Sequence, residues 1–284
     1  MNQALKITED EQVATPASRG SNQSGMRAYN ERLVLSLIRQ SGAMAKAGIA
    51  RKTGLSAQTV SVIMRSLEAD GLLEKGAPVR GKVGQPSVPM NLAREGAFFL
   101  GLKVGRRSLD LVLTDFFGRV VDRVQKVHAY PSPDGVVEFT LSATDDLLGR
   151  MPEEMRQRVA GMGIALPFQL WDWVDALGFP VEEMGEWRTR DVRAEVEAAS
   201  DFAVFLGNDA SAACGAELVF GDQNKPRDFL YFFLGFFIGG GLVLNGSLYT
   251  GSKGNAAALG SMHIPAPDGG YRQLVDVASL ATLK

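Results

Sequence analysis

Apolar positions in the first third of the chain recur at helical spacing. In "NERLVLSLIRQSG" Leu33, Leu37 and Ile38 fall on one face, Asn30 stands where a cap would open the helix and Gly42 where it would close it. A second short helix is predicted in "AKAGIARKTG", stopped by Gly54. A third follows in "LSAQTVSVIMRSLEADG", with Ser56 as N-cap and Val60, Ile63, Met64 and Leu67 facing a core. That leaves Gln58, Thr59, Ser61, Val62 and Arg65 on the outer faces. After Gly71, short apolar runs flank a Gly/Pro-rich tip carrying Arg80, Lys82 and Gln85, which predicts a β-hairpin. Residues 1–25 are polar and show no apolar period, so a disordered arm is expected there.

Near Ala97 the period changes. "FFLGLKVG", "SLDLVLTDF" and "GRVVDRVQKV" are apolar or alternating runs broken by glycine or polar turns, the pattern of an antiparallel meander. The apolar "RVAGMGIALPF", the helical "TRDVRAEVEAAS" and the strand-like "FAVFLGNDA" then set an alternating α/β rhythm. Three regions result: an arm over 1–25, a helical module over 26–95 and an α/β domain over 96–284.

Charge separates the two modules. The 284 residues carry net charge -2, but positions 1–95 hold 13 Lys+Arg against 8 Asp+Glu, and the remainder 17 against 24. A basic front on an acidic body favours a polyanionic partner for the front. Helix, glycine turn and a further helix opening on small polar residues is the helix-turn-helix pattern, and the basic hairpin tip makes it a winged one. On that reading Gln58 pairs with an adenine edge, Ser56, Thr59 and Ser61 with bases or phosphate, and Arg65 with phosphate, while Arg80, Lys82 and Gln85 reach the backbone or minor groove. A helical bundle used for protein contacts, or a helix-turn-helix that has lost DNA binding, is the alternative.

No apolar run approaches the ~20 residues that span a bilayer, and the first segment lacks the basic start and apolar core of a secretory signal, so a cytoplasmic protein is expected. The single cysteine, Cys214, excludes an intrachain disulfide and any zinc site built on several thiolates; its place in "DASAACGAE" is that of a packed helix residue.

The segment "IARKTGLSAQTVSVIMRSLEADGLLEKG" followed by "GKVGQPSVPMNL" resembles the winged-helix domain of ROK-family transcriptional regulators, a family named for repressors, open reading frames and kinases. Gln85 departs from the arginine common before that proline. The remainder resembles the actin-like ATPase fold that ROK sugar kinases share with these regulators. The resemblance implies what has been kept and what has been lost. Lys103, in "GLKVGRR", stands where the kinases carry a Mg²⁺-organising Asp. Asn208 and Asp209 match the sugar-binding Asn and the general base, although both are also favoured helix caps. Beside a helix N-terminus Asp209 is expected to have a low pKa.

Ala258 and Ser261 replace the Glu and His that anchor sugar hydroxyls, and the His/Cys cluster of a structural zinc has no counterpart. In "LGFFIGGGLVLNG" the phosphate-wrapping Thr and Gly become Phe236 and Phe237. The glycines are expected to hold a tight strand turn while the rings fill the phosphate site. No zinc, ATP or Mg²⁺ is therefore expected. The chain ends at "ASLATLK", inside a helix pattern, and is expected to be truncated relative to the family.

Together these features give an expected function. It is a DNA-binding transcriptional regulator of carbohydrate genes, a repressor, whose degraded kinase-like domain senses a sugar and dimerises. Its expected partners are a double-stranded operator, a sugar effector and a second copy, with no membrane. An ATP-dependent sugar kinase or a non-sensing remnant are the alternatives.

Overall fold

The first three helices form where the apolar period places them. In a computed structural model, which describes residues 23–78, 87–222 and 224–283, they are α1 (Gln23–Ser41), α2 (Lys46–Thr53) and α3 (Ala57–Ala69). The arm up to residue 22 and the wing-tip residues Arg80, Lys82 and Gln85 lie outside the described residues. Gly42 and Gly54 take positive φ, +74° and +72°, at the ends of α1 and α2. Asn30 is not the cap expected of it. The helix begins at Gln23, and the added turns are held by Arg27, which pairs with Glu31 one turn on (2.8 Å) and donates to Ser66 of α3 (2.8 Å). Val34, Ile38, Ile49, Val60, Ile63, Met64 and Leu67 bury together against Leu73, Met90 and Leu92. The last three belong to β1 (Leu73–Lys75) and β2 (Met90–Leu92), an antiparallel pair with Leu73 opposite Leu92.

The chain divides into two units: the described residues up to Phe98 together with Asp115–Arg119, and Phe99–Thr114 together with Val120 onward. The five-residue insert in the first unit is a turn whose Phe116 enters the helical core. Asp115, 1% exposed, accepts from the backbone N–H of Phe117 and of Arg119 (both 2.9 Å) and pairs with Arg94 (2.7 Å). Burial works against its charge, but Arg94 and the two N–H donors outweigh it and hold the carboxyl below its usual pKa. Arg39 of α1 donates to the Phe116 carbonyl (2.5 Å) and lies over its ring, 5.1 Å from the centroid.

The second unit is built on a meander of β3 (Phe98–Val104), β4 (Ser108–Thr114) and β5 (Val120–Val127), all antiparallel. Leu109, Leu111 and Leu113 alternate inward along β4. Helix α4 (Pro133–Gly149) starts at Ser132, whose side chain accepts from Gly135 N–H, with proline at the first helical position. Strand β6 (Val159–Leu166) and the parallel β7 (Val204–Asn208) complete a five-stranded sheet of order β5-β4-β3-β6-β7; α5 (Val192–Ala198), N-capped by Asp191, precedes β7. Helix α6 (Asp209–Phe220) leads out of β7 to a three-stranded sheet of β8 (Phe229–Leu234), β9 (Ile238–Leu244) and β10 (Ser247–Tyr249), order β10-β9-β8. A hairpin of β11 (His263–Ala266) and β12 (Gly270–Gln273) follows.

The three glycines do not form the expected turn. Gly239, Gly240 and Gly241 lie inside β9, and none has positive φ. A Cβ on Gly241 would sit inside the Cys214 side chain, and one on Gly239 would lie 3.0 Å from the Ala210 Cβ. Helix α6 therefore rests on bare strand backbone. The glycines permit that close approach, and the turn belongs to Gly235, Phe236 and Phe237 instead.

Candidate functional site

Helix α3 presents a polar outer face. Ser56 accepts from the Thr59 N–H (3.0 Å) and its hydroxyl meets the Thr59 hydroxyl (2.8 Å), so the two close the helix start on each other. Gln58, Val62 and Arg65 are exposed and Ser61 is half-buried; the Arg65 Nε donates to the Ser61 carbonyl (3.3 Å). Two further cations were missed by sequence reasoning: Arg51 and Lys52, exposed in the last turn of α2. Lys52 donates to the Ser41 hydroxyl (3.1 Å). The signal available was the basic dipeptide directly before the Gly54 turn, where cations also suit the helix dipole.

Asn208 and Asp209 stand together at the start of α6. Asn208, 7% exposed, accepts from the Ser211 N–H through Oδ1 (3.0 Å), the geometry of a cap, and its Nδ2 reaches the Asp209 Oδ1 (3.3 Å). The same Asp209 oxygen accepts from the Ala210 N–H (2.9 Å). The expected low pKa is not found. Burial raises the Asp209 carboxyl above its ordinary value, outweighing the Ala210 N–H and the positive charge of Lys103, which act in the opposite direction. Lys103 itself is an exposed residue of β3.

The turn before β9 is held from both sides. Phe236 and Phe237 meet edge to face, 4.9 Å between centroids, and the Arg106 guanidinium lies 4.3 Å above the Phe236 ring. The Gly235 and Phe236 carbonyls accept from Leu280 N–H (3.2 Å) and Ala281 N–H (3.0 Å), and the buried Ser279 hydroxyl accepts from Ile238 N–H (3.0 Å). Ala258 precedes a short helical turn, Leu259–Ser261, in which the Ser261 hydroxyl donates to the Ala258 carbonyl (2.8 Å). His263 is exposed on β11, and Cys214 is fully buried in α6. Among the described residues no three His, Cys, Asp or Glu side chains converge as metal ligands would, and none of the helices is long and apolar enough to cross a membrane.

Known proteins match both units. Residues 99–272 match the model of the ROK family and residues 27–74 that of winged helix-turn-helix DNA-binding domains. The chain belongs to the ROK family. Among curated relatives it is 31% identical over 251 residues to the uncharacterised protein y4fQ of Sinorhizobium fredii, covering 85% of this chain and 62% of that one. It is 24% identical to the xylose repressor of Bacillus subtilis, covering 86% and 62%. The chain thus spans about 62% of the length of these relatives.

Among solved structures, a ROK family transcriptional regulator, homologous to the E. coli MLC protein, superposes with a TM-score of 0.68 at 23% identity, over 91% of this chain and 66% of that one. A ROK family glucokinase from Streptomyces griseus, in complex with glucose and AMPPNP, gives 0.52 at 23% identity over 66% and 59%. The first likeness, with the two family models, establishes the fold expected from the sequence, a winged helix-turn-helix followed by the ROK domain; the second bears on the sugar-kinase-like fold of the ROK domain alone.

Proposed function

We propose that this chain is a sequence-specific DNA-binding regulator, a repressor of carbohydrate-related genes, whose ROK domain senses a small ligand and dimerises rather than phosphorylating sugar. The observation that carries the reading is α3. It is capped, seated by four buried aliphatic side chains, and carries on its outer face the exposed Gln58 and Arg65 with the half-buried Ser61 between them. Gln58 suits an adenine edge and Arg65 a phosphate, with Arg51 and Lys52 adding positive charge at the end of the preceding helix. Relatives named as xylose repressors support a sugar-responsive system. A homodimer would set two recognition helices about one helical turn apart on a pseudo-palindromic operator, and ligand binding would shift the population between matching and mismatching spacings.

The second unit supports sensing over catalysis. A kinase needs a metal-organising carboxylate and an open phosphate loop. Here the cation Lys103 stands at the first position, and the ring of Phe236 beneath Arg106 stands in the loop. Residues of this kind do not fit Mg²⁺ and ATP. Structural zinc does not fit either, since the one thiol is buried against β9. Asn208 and Asp209 are spent on the helix start and on each other, with room left for at most a sugar hydroxyl at the carboxylate.

Genomic footprinting with and without candidate sugars tests the reading, together with titration of the recovered operator. Sites should be recovered, and Arg65→Ala should weaken binding roughly tenfold across sequences and flatten its salt dependence. Recovery of no sites, with no effect of Arg65→Ala on DNA affinity, would overturn it. So would sugar phosphorylation that Asp209→Asn abolishes.

A further inference from the structure

The turn between β3 and β4 carries two adjacent arginines. Arg106 and Arg107 sit between Gly105 and Ser108, closed by the Gly105 N–H on the Ser108 carbonyl (2.9 Å). Neighbouring like charges on so short a turn are unfavourable unless something neutralises them, yet among the described residues neither guanidinium has a carboxylate partner. Arg106 is also ordered. Its guanidinium carbon lies 4.3 Å from the centre of the Phe236 ring, a contact that restrains the side chain without using its N–H donors. Burial, and then the charge of Arg107, push its pKa down, the mark of a cation lacking compensation.

Behind the turn, the His128 backbone N–H donates to the Arg107 carbonyl (3.0 Å). Its ring nitrogens are buried, and burial lowers the imidazole pKa, only partly offset by hydrogen bonding with the backbone of Ser108, Gly105 and Tyr130. Arg106, Arg107 and His128 line one open cleft of about 620 Å³ together with Tyr130, Phe179 and Pro180. Tyr130 and Phe179 are in ring contact at 6.2 Å, and the Tyr130 hydroxyl reaches Glu183 (3.5 Å). Cations and aromatic rings lining one cleft form an amphipathic receptor.

We propose that this cleft binds a small organic oxyanion of sugar size, its phosphoryl or carboxylate group held by the Arg106 and Arg107 guanidinium edges and its body lying on Tyr130 and Phe179. No metal ion takes part. The stack on Phe236 performs the orienting role, because a guanidinium fixed on a ring loses little freedom when it meets an anion. The inference deepens the sensing half of the reading above, and its regulatory meaning rests on that reading. The binding itself is measured without DNA, so the two can fail separately.

Calorimetric titration of the full chain with glucose, glucose 6-phosphate, glucuronate and inorganic phosphate is the test. Glucose should give no heat. One or both sugar anions should bind, and which one does separates phosphoryl from carboxylate recognition. Arg106→Gln and Arg107→Gln should each weaken that binding roughly tenfold or more, and Arg106→Lys should recover part of it. Tyr130→Ala should weaken the sugar anion but leave inorganic phosphate unchanged. Melting followed by circular dichroism checks that each variant is folded; should Arg106→Gln not fold, Arg107→Gln at the exposed turn position carries the test. Failure of all three anions to bind, or equal affinity in parent and folded Gln variants, would overturn the proposal.

Discussion

Helices α3 and α6 open alike and are seated in opposite ways. Each begins with a small polar cap, Ser56 on the Thr59 N–H and Asn208 on the Ser211 N–H, at the same 3.0 Å. Beyond the cap, α3 is anchored by long aliphatic side chains and leaves its start exposed, whereas α6 presses Ala210 and Cys214 onto glycine backbone, and its start is buried. One cap chemistry therefore serves two ends. At α3 it frees a face for a partner; at α6 it puts a carboxyl where water is scarce, and burial rather than the helix start sets its pKa.

The difference in seating predicts opposite sensitivities. Enlarging the strand beneath α6 should be one of the two severest changes: Gly241→Val drives a branched side chain into Cys214 and should cost about 3 kcal/mol in urea unfolding. Helix α3 should fail the other way, with Met64→Ala costing about 3 kcal/mol through the cavity it leaves. Equal tolerance of enlargement and truncation at both helices would erase the distinction.

The caps sharpen it at smaller scale. Ser56→Ala, at an exposed start, should cost about 1 kcal/mol. Asn208→Ala also strands the buried Ser211 N–H and should cost about 2 kcal/mol. The smallest effect is tied to pH. A carboxyl whose pKa is raised on folding lowers stability wherever the unfolded chain would be ionised. The penalty is absent below the unfolded value near 3.9 and complete above the raised folded value. Asp209→Asn should therefore melt above the parent at pH 7, and the gap should close as pH falls toward 4. A constant gap across that range would show that burial does not govern Asp209.

Much of this was legible in the sequence, and what was not has a common cause. Period and punctuation located α2, α3, the wing strands and the meander, since each depends on neighbours a few residues away. Asn30 misled because a cap signal is local, while the start of α1 is decided by Arg27 reaching Ser66, 39 residues away. The glycines of β9 resembled a loop because closeness to a helix and closeness to a phosphate demand the same missing side chain. Burial of Asp209, and the seat of Arg106 over Phe236, arise from elements that meet only on folding. Lys103, Ala258 and Ser261 were readable as departures from a pattern; Arg106 was not, since its role depends on Phe236 lying beneath it.

The turn that lends Phe116 to the helical core has a consequence for taking the protein apart. The backbone passes between the two units three times, at Phe98, before Asp115 and after Arg119. One scission near residue 95 would leave the amino-terminal fragment without Phe116 and without the carbonyl, 77 positions along the chain, to which Arg39 donates. The winged-helix module is thus stitched rather than strung to the rest. A fragment cut at the obvious boundary would report on a weakened version of it, and a graft carrying it elsewhere would need to bring along a loop from deep within the other half.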